Sequence, residues 1–134
     1  MARKIVISLV TAAVAVGALA ATSGTAFADS GNKCTKTANT STCINIRGTG
    51  LSVDWITATH HNNHPSGPGK FHLTGPAGLS AWSPMLPYAG GGNVQYEWNE
   101  HGRSMPSGRY CVQWFVNGDS KRPETGQGCA TVHA

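Results

Sequence analysis

Tyr110-Cys111-Val112-Gln113-Trp114-Phe115-Val116 is the stretch that decides how this chain folds. Tyr110, Val112, Trp114 and Val116 alternate with Cys111, Gln113 and Phe115. A period of two puts one set of side chains on a buried face and the other on the opposite face of a β-strand. The same period recurs on both sides. Val94, Tyr96 and Trp98 alternate with Gln95, Glu97 and Asn99, and Ile44 and Ile46 with Cys43, Asn45 and Arg47. Leu51, Val53 and Trp55 alternate with Ser52 and Asp54, and Ile56 carries the strand towards His60. This phase predicts Trp55, Trp98 and Trp114 in the core. Shorter strands are expected at Phe71–Leu73, Leu79–Trp82 and Gly128–His133. Gly48-Thr49-Gly50 reads as a turn or bulge, Gly75-Pro76-Ala77-Gly78 and Pro106-Ser107-Gly108 as turns, and Asn117-Gly118 as the start of a polar loop. No stretch after residue 42 has an apolar period of 3.6. The expectation is an all-β, small disulfide-stapled β-sandwich, immunoglobulin-like or similar, with a small β-barrel as the alternative.

Residues 1–28 read as a helical secretory signal peptide that is cleaved. Arg3 and Lys4 form the positive start, Ile5 to Ala21 is apolar, and Ala26-Phe27-Ala28 fits the small-x-small rule of the signal peptidase. The short charged start and Ala-rich core point to a bacterial export signal. Cutting there leaves 106 of the 134 residues, one small domain. Residues 29–42 read as a loose polar N-terminal arm and 43–134 as a single β domain. The whole chain has a formal net charge of +4, but two of those charges leave with the signal. No basic stripe remains for nucleic acid, and no polybasic cluster holds the mature chain to a membrane.

Four cysteines, Cys34, Cys43, Cys111 and Cys129, lie after the cleavage point. An even number in an exported chain predicts disulfides. Of three possible connectivities, Cys34–Cys43 and Cys111–Cys129 are expected, each bracketing one local turn. No C-x-x-C spacing suggests zinc.

Phe71-His72-Leu73-Thr74-Gly75-Pro76, Gly108-Arg109-Tyr110-Cys111 and Cys129-Ala130-Thr131-Val132-His133 resemble, in order, the F-x-L-T-G-P, G-x-Y-C and C-x-x-V-H motifs of small exported proteins of filamentous actinobacteria. The resemblance covers about half of the mature chain and implies no particular activity. Tyr110 directly precedes a cysteine. In the tyrosine corner of immunoglobulin-like domains the Tyr stands two residues before it.

His60-His61-Asn62-Asn63-His64 is the densest polar cluster. Imidazoles are common metal ligands, and His60, His61 and His64 would form a metal site if the loop folded back. Pro65 pushes His64 into an extended conformation, which removes the helical i, i+4 geometry. The reading preferred for residues 60–70 is a mobile, solvated loop without a tight metal. Trp82, Met85, Leu86 and Tyr88 place apolar side chains in a loop context and are the candidate contact surface. No catalytic residues are assigned: the six carboxylates are scattered, and no G-x-S-x-G elbow exists. The expected function is a secreted, non-catalytic binding protein acting on an extracellular protein or cell-envelope ligand through loops at one end of the sandwich, with no cofactor. The alternatives are an inhibitor of an extracellular hydrolase, working through residues 82–88 or 117–128, and a metal-binding protein using the His loop.

Overall fold

The structure is a computed structural model that describes residues 32–89 and 91–134. The expected signal peptide, residues 1–28, lies outside the described residues.

Eight strands follow one another: β1 Lys33–Lys36, β2 Thr40–Thr49, β3 Ser52–Asn62, β4 Gly69–Thr74, β5 Ser80–Trp82, β6 Asn93–Ser104, β7 Gly108–Val116 and β8 Gly128–Val132. A 3₁₀ turn at Pro76–Gly78 is the helical element among the described residues. The strands form two four-stranded antiparallel sheets, ordered β1-β2-β3-β6 and β5-β4-β7-β8. Ile44, Ile46, Val53 and Ile56 of the first sheet face Phe71, Leu73, Tyr110, Val112 and Trp114 of the second in one buried core. The result is an open sandwich, not a barrel. Its strand order is an immunoglobulin-type Greek key: β2, β3 and β6 occupy the places of A, B and E, and β5, β4, β7 and β8 those of C′, C, F and G.

The tyrosine corner belongs to the same scheme. Tyr110, near the start of β7, donates its hydroxyl to the carbonyl of Pro106 at 2.7 Å. The corner forms although Tyr110 sits one residue before Cys111, because the bond reaches back over the turn and does not involve the cysteine.

Both disulfides take the expected pairing, Cys34–Cys43 and Cys111–Cys129. Each joins directly opposed residues of neighbouring strands, so they staple the edge strands β1 and β8 within their own sheets. Close backbone approach does the rest. A Cβ on Gly128 would lie 2.6 Å from the Thr42 carbonyl and 3.0 Å from that of Lys33, so β8 lies directly against β2 and β1. Gly69 likewise leaves room for Trp114: its Cβ would meet the indole at 2.4 Å.

Three local expectations are corrected. The loose arm contains a strand: β1 pairs with β2, which itself begins at Thr40. Trp55 is not in the core. β2 and β3 shift register between Arg47 and Gly48, where Asp54 is the extra residue between Val53 and Trp55. Val53 and Ile56 therefore both point inward at 0% exposure, and Trp55 turns outward beneath Arg47. Trp98 and Trp114 do face inward, Trp98 partly buried and Trp114 completely. Finally, residues 60–62 are not loop but the end of β3.

Candidate functional site

β3 ends at the same pole of the sandwich as residues 63–68, 83–89, 91–92 and 117–127. The backbone holds these together: Gly91 N–H donates to Asn62 O at 2.8 Å, Asn117 N–H to Pro68 O at 2.7 Å, and Ser66 N–H to Ala89 O at 3.3 Å. This is the end at which immunoglobulin-type variable domains present their binding loops.

At its centre lies His60, 0% exposed. Alternation along β3 turns it inward, where its ring stacks on Trp114 of the opposite sheet, centroids 5.3 Å apart and planes 11° from parallel. Nδ1 meets the Thr42 hydroxyl at 2.9 Å and Nε2 meets Glu124 Oε2 at 2.8 Å. Glu124 also accepts hydrogen bonds from the Asn62 side-chain amide and, at 3.1 Å, from the Ser66 hydroxyl. Tyr88 completes the cluster: its oxygen accepts the Asn62 N–H at 2.6 Å and its hydroxyl donates to Gly92 O at 2.8 Å. Burial lowers the His60 pKa below the ordinary imidazole value. The Glu124 charge and hydrogen bond oppose this without reversing it. Burial also raises the Tyr88 hydroxyl. The neutral ring then donates from Nε2 to the carboxylate and accepts at Nδ1 from Thr42.

Hydroxyl, imidazole and carboxylate thus stand in a chain like that of a hydrolase triad, but with two differences. The hydroxyl binds Nδ1 and the acid Nε2, the reverse of the triad arrangement. Thr42 is 0% exposed, so its oxygen faces no approaching substrate. What the chain does is hold the 117–127 connection, through Glu124, to the end of β3.

His61 and His64 do not join His60. His61 points to the opposite face of β3, where its ring meets Gly92 O at 2.8 Å and Asn63 Oδ1 at 2.6 Å. His64 lies beyond the strand, exposed. The three imidazoles do not converge as a metal site requires, and no group of three His, Cys, Asp or Glu placed for a metal occurs among the described residues.

The expected contact surface divides. Leu86 and Tyr88 turn inward and pack against the core. Trp82 and Met85 remain outside, 40% and 46% exposed, the exposed large hydrophobic residues of the described chain. Trp82 is held on the outer face of the second sheet by His72, stacked at 4.1 Å and 5° from parallel, and by Phe115 at 5.2 Å. His72 is fixed in turn by the Ser80 hydroxyl at 2.8 Å, and burial lowers its pKa. Between them, residues 83–86 are tied at both ends. Ser83 N–H donates to Phe71 O at 2.9 Å and its hydroxyl accepts Phe71 N–H at 2.9 Å, while Leu86 and Gly69 exchange two backbone bonds.

Sequence reasoning missed the partners of His60. Glu124 stands 64 residues away in a polar loop, and no local pattern connects them. Phe115 could have been found: an aromatic residue on the polar phase of β7 needs cover, and Trp82 and His72 supply it.

The fold and these surfaces define a Greek-key β-sandwich of immunoglobulin type with one pole locked by a buried His–Glu network and one aromatic patch exposed. Comparison with protein-family models, curated proteins and solved structures gives no match.

Proposed function

We propose that this is an exported, non-catalytic binding module that engages an extracellular protein or cell-envelope partner through Trp82 and Met85. The observation that carries the reading is the immobilised exposed indole. Trp82 loses little freedom on binding because His72 and Phe115 already hold it, and rigid aromatic anchors dominate recognition surfaces. Export is supported by the two disulfides, which persist in oxidising surroundings. The absence of catalysis is supported by the burial of Thr42 within the one hydroxyl–imidazole–carboxylate chain described. The test is affinity capture from native culture medium and cell envelope, using the intact protein and a Trp82→Ala, Met85→Ser variant. A partner retained by the first and lost by the second supports the reading. Identical capture by both overturns it.

A second reading, inhibition of an extracellular hydrolase, is favoured by one feature. Met85 is an exposed side chain on a segment pinned on both sides, at Ser83 and Leu86, the rigid presentation that suits a protease cleft. A protease panel separates the two readings: inhibition that Met85→Asp abolishes favours this one, and no inhibition removes it.

A further inference from the structure

We infer that the outer face of the β1-β2-β3-β6 sheet binds an extended β-1,4-linked polysaccharide, a site separate from the Trp82 patch and going beyond the reading above. The face is a shallow groove of about 280 Å³, less than the ~300–1,000 Å³ of pockets that enclose a drug-sized ligand. It suits a chain lying across it.

The register lays out its chemistry in rows running across the strands. Asn45, Thr57 and Glu97 are direct cross-strand partners, and Asn32 continues the row through a 3.2 Å bond from the Asn45 amide. On one side lie Thr59 and Gln95, and on the other Arg47, Trp55 and Asn99. Neighbouring strands are about 4.8 Å apart, close to the advance of one sugar ring in an extended β-1,4-linked chain. Each ring of such a chain would therefore meet a fresh pair of polar side chains: Asn45 and Arg47 on β2, Thr57 and Thr59 on β3, and Gln95 and Glu97 on β6. Amides, a carboxylate and a guanidinium donate and accept in pairs, as vicinal hydroxyls require.

The groups are available. Among the described residues, Glu97 is engaged within the groove by one long 3.4 Å contact from the Thr57 hydroxyl. Arg47 lies over the Trp55 ring at 5.8 Å. Although opposite in charge and on one groove, Arg47 and Glu97 form no ion pair among the described residues. The half-buried Trp55 ring, set facing outward by the register shift, stands beside the groove as the cross-strand partner of Arg47 and carries its guanidinium. A protein partner fits poorly, since interface cores are apolar and depleted of charge. A nucleic acid fits poorly too, since Glu97 repels phosphate and no basic stripe accompanies Arg47.

The experiment is retention of the full-length secreted protein on insoluble cellulose, chitin and peptidoglycan, each a β-1,4-linked polymer, with release by the matching soluble oligosaccharide. Variants Trp55→Ala, Glu97→Gln and Asn45→Ala are compared with Trp82→Ala, with far-ultraviolet dichroism confirming the β fold of each. The expected result is retention on at least one polymer, lowered about tenfold by Glu97→Gln, lowered also by the other two groove variants, and unchanged by Trp82→Ala. Retention on none of the three overturns the proposal, as does retention that the groove variants leave intact or that Trp82→Ala abolishes. The last outcome would transfer the ligand to the aromatic patch and leave the binding-module reading standing.

Discussion

His60 and Trp114 lie ring on ring, 5.3 Å between centroids and 11° from parallel, although they belong to opposite sheets. The contact joins the apolar core to the polar pole of the sandwich. Phe71 of the core packs edge-on against Trp114 at 4.8 Å, and Glu124 and Tyr88 of the polar pole meet His60. A titratable ring in this position makes the stability of the fold depend on pH.

The direction follows from the sign of the shift. Folding lowers the His60 pKa, mainly through burial, so the folded state binds fewer protons than the unfolded one. The contribution of His60 is complete above its unfolded value of about 6.5 and is lost as pH falls from there through the lower folded value. His72 acts in the same direction. Urea midpoints should therefore be lower at about pH 5.5 than at about pH 7.5. A His60→Gln variant, less stable throughout, should show a shallower dependence. An unchanged slope in that variant would show that His60 is not the sensor.

Glu124 should matter more than an ordinary loop carboxylate. Its replacement by Ala leaves the His60 Nε2–H and the Asn62 amide without an acceptor. Stranding buried donors costs about 1–3 kcal/mol each, and partial access of water at this position places the total at about 2 kcal/mol. Chemical denaturation measures the loss. Hydrogen exchange locates it, with amides of residues 117–127 exchanging faster while those of β7 keep their protection. Ser66→Ala, which removes one donor and strands none, should cost less than Glu124→Ala.

The sandwich was legible because period two survives wherever one face of a strand is buried. Ile44 and Ile46, Val94 to Trp98, and Tyr110 to Trp114 all point as the alternation requires. An even number of cysteines, with each pair bracketing one local turn, was enough to pair them. The reading failed where a single residue changed the phase. Asp54 inserts into β3, and a sequence written as alternation cannot show which of Val53 and Trp55 keeps the inward direction. It failed again at His60. Polar character suggested solvent, but a strand that continues two residues further buries the ring against Trp114, and the partner that makes burial tolerable lies far along the chain. Of the four apolar residues read from their loop context, Trp82 and Met85 are exposed, while Leu86 and Tyr88 are drawn inward by bonds to Gly69 and Asn62 that no short motif encodes.

The register shift itself gives a sharp test. Gly48 sits where a Cβ would lie 2.0 Å from the Ser52 carbonyl oxygen and 2.9 Å from the Val53 Cα. Both obstacles are backbone, so Gly48→Ala must move the hairpin itself. We expect a loss of about 3 kcal/mol, the upper end for an overpacked site. Gly78→Ala is the control, since nothing lies within 4 Å of its Cβ and only its positive φ of 74° opposes the change. Equal costs for the two would mean that crowding at Gly48 is relieved without effort.

Tyr110→Phe isolates the tyrosine corner. The ring is fully buried and stays in place in the variant, so only the 2.7 Å bond to Pro106 is lost. A single neutral hydrogen bond contributes about 0.5–1.5 kcal/mol, and Pro106 is exposed, so its carbonyl regains water; about 1 kcal/mol is the expected loss near neutral pH. Alkaline pH adds a second readout. Burial raises the Tyr110 pKa above its ordinary value, so the folded state holds its proton where the unfolded state has released it. Stability from this group is complete below the unfolded value of about 10 and is lost as pH rises through the folded one. Tyr88 is shifted the same way, so the variant should keep part of the alkaline slope and lose the rest. Denaturant midpoints of wild type and variant should therefore converge between about pH 8 and pH 11. A constant gap across that range would mean that the Tyr110 hydroxyl ionises as readily folded as unfolded, and that the corner is not the closed hydrogen bond described for it.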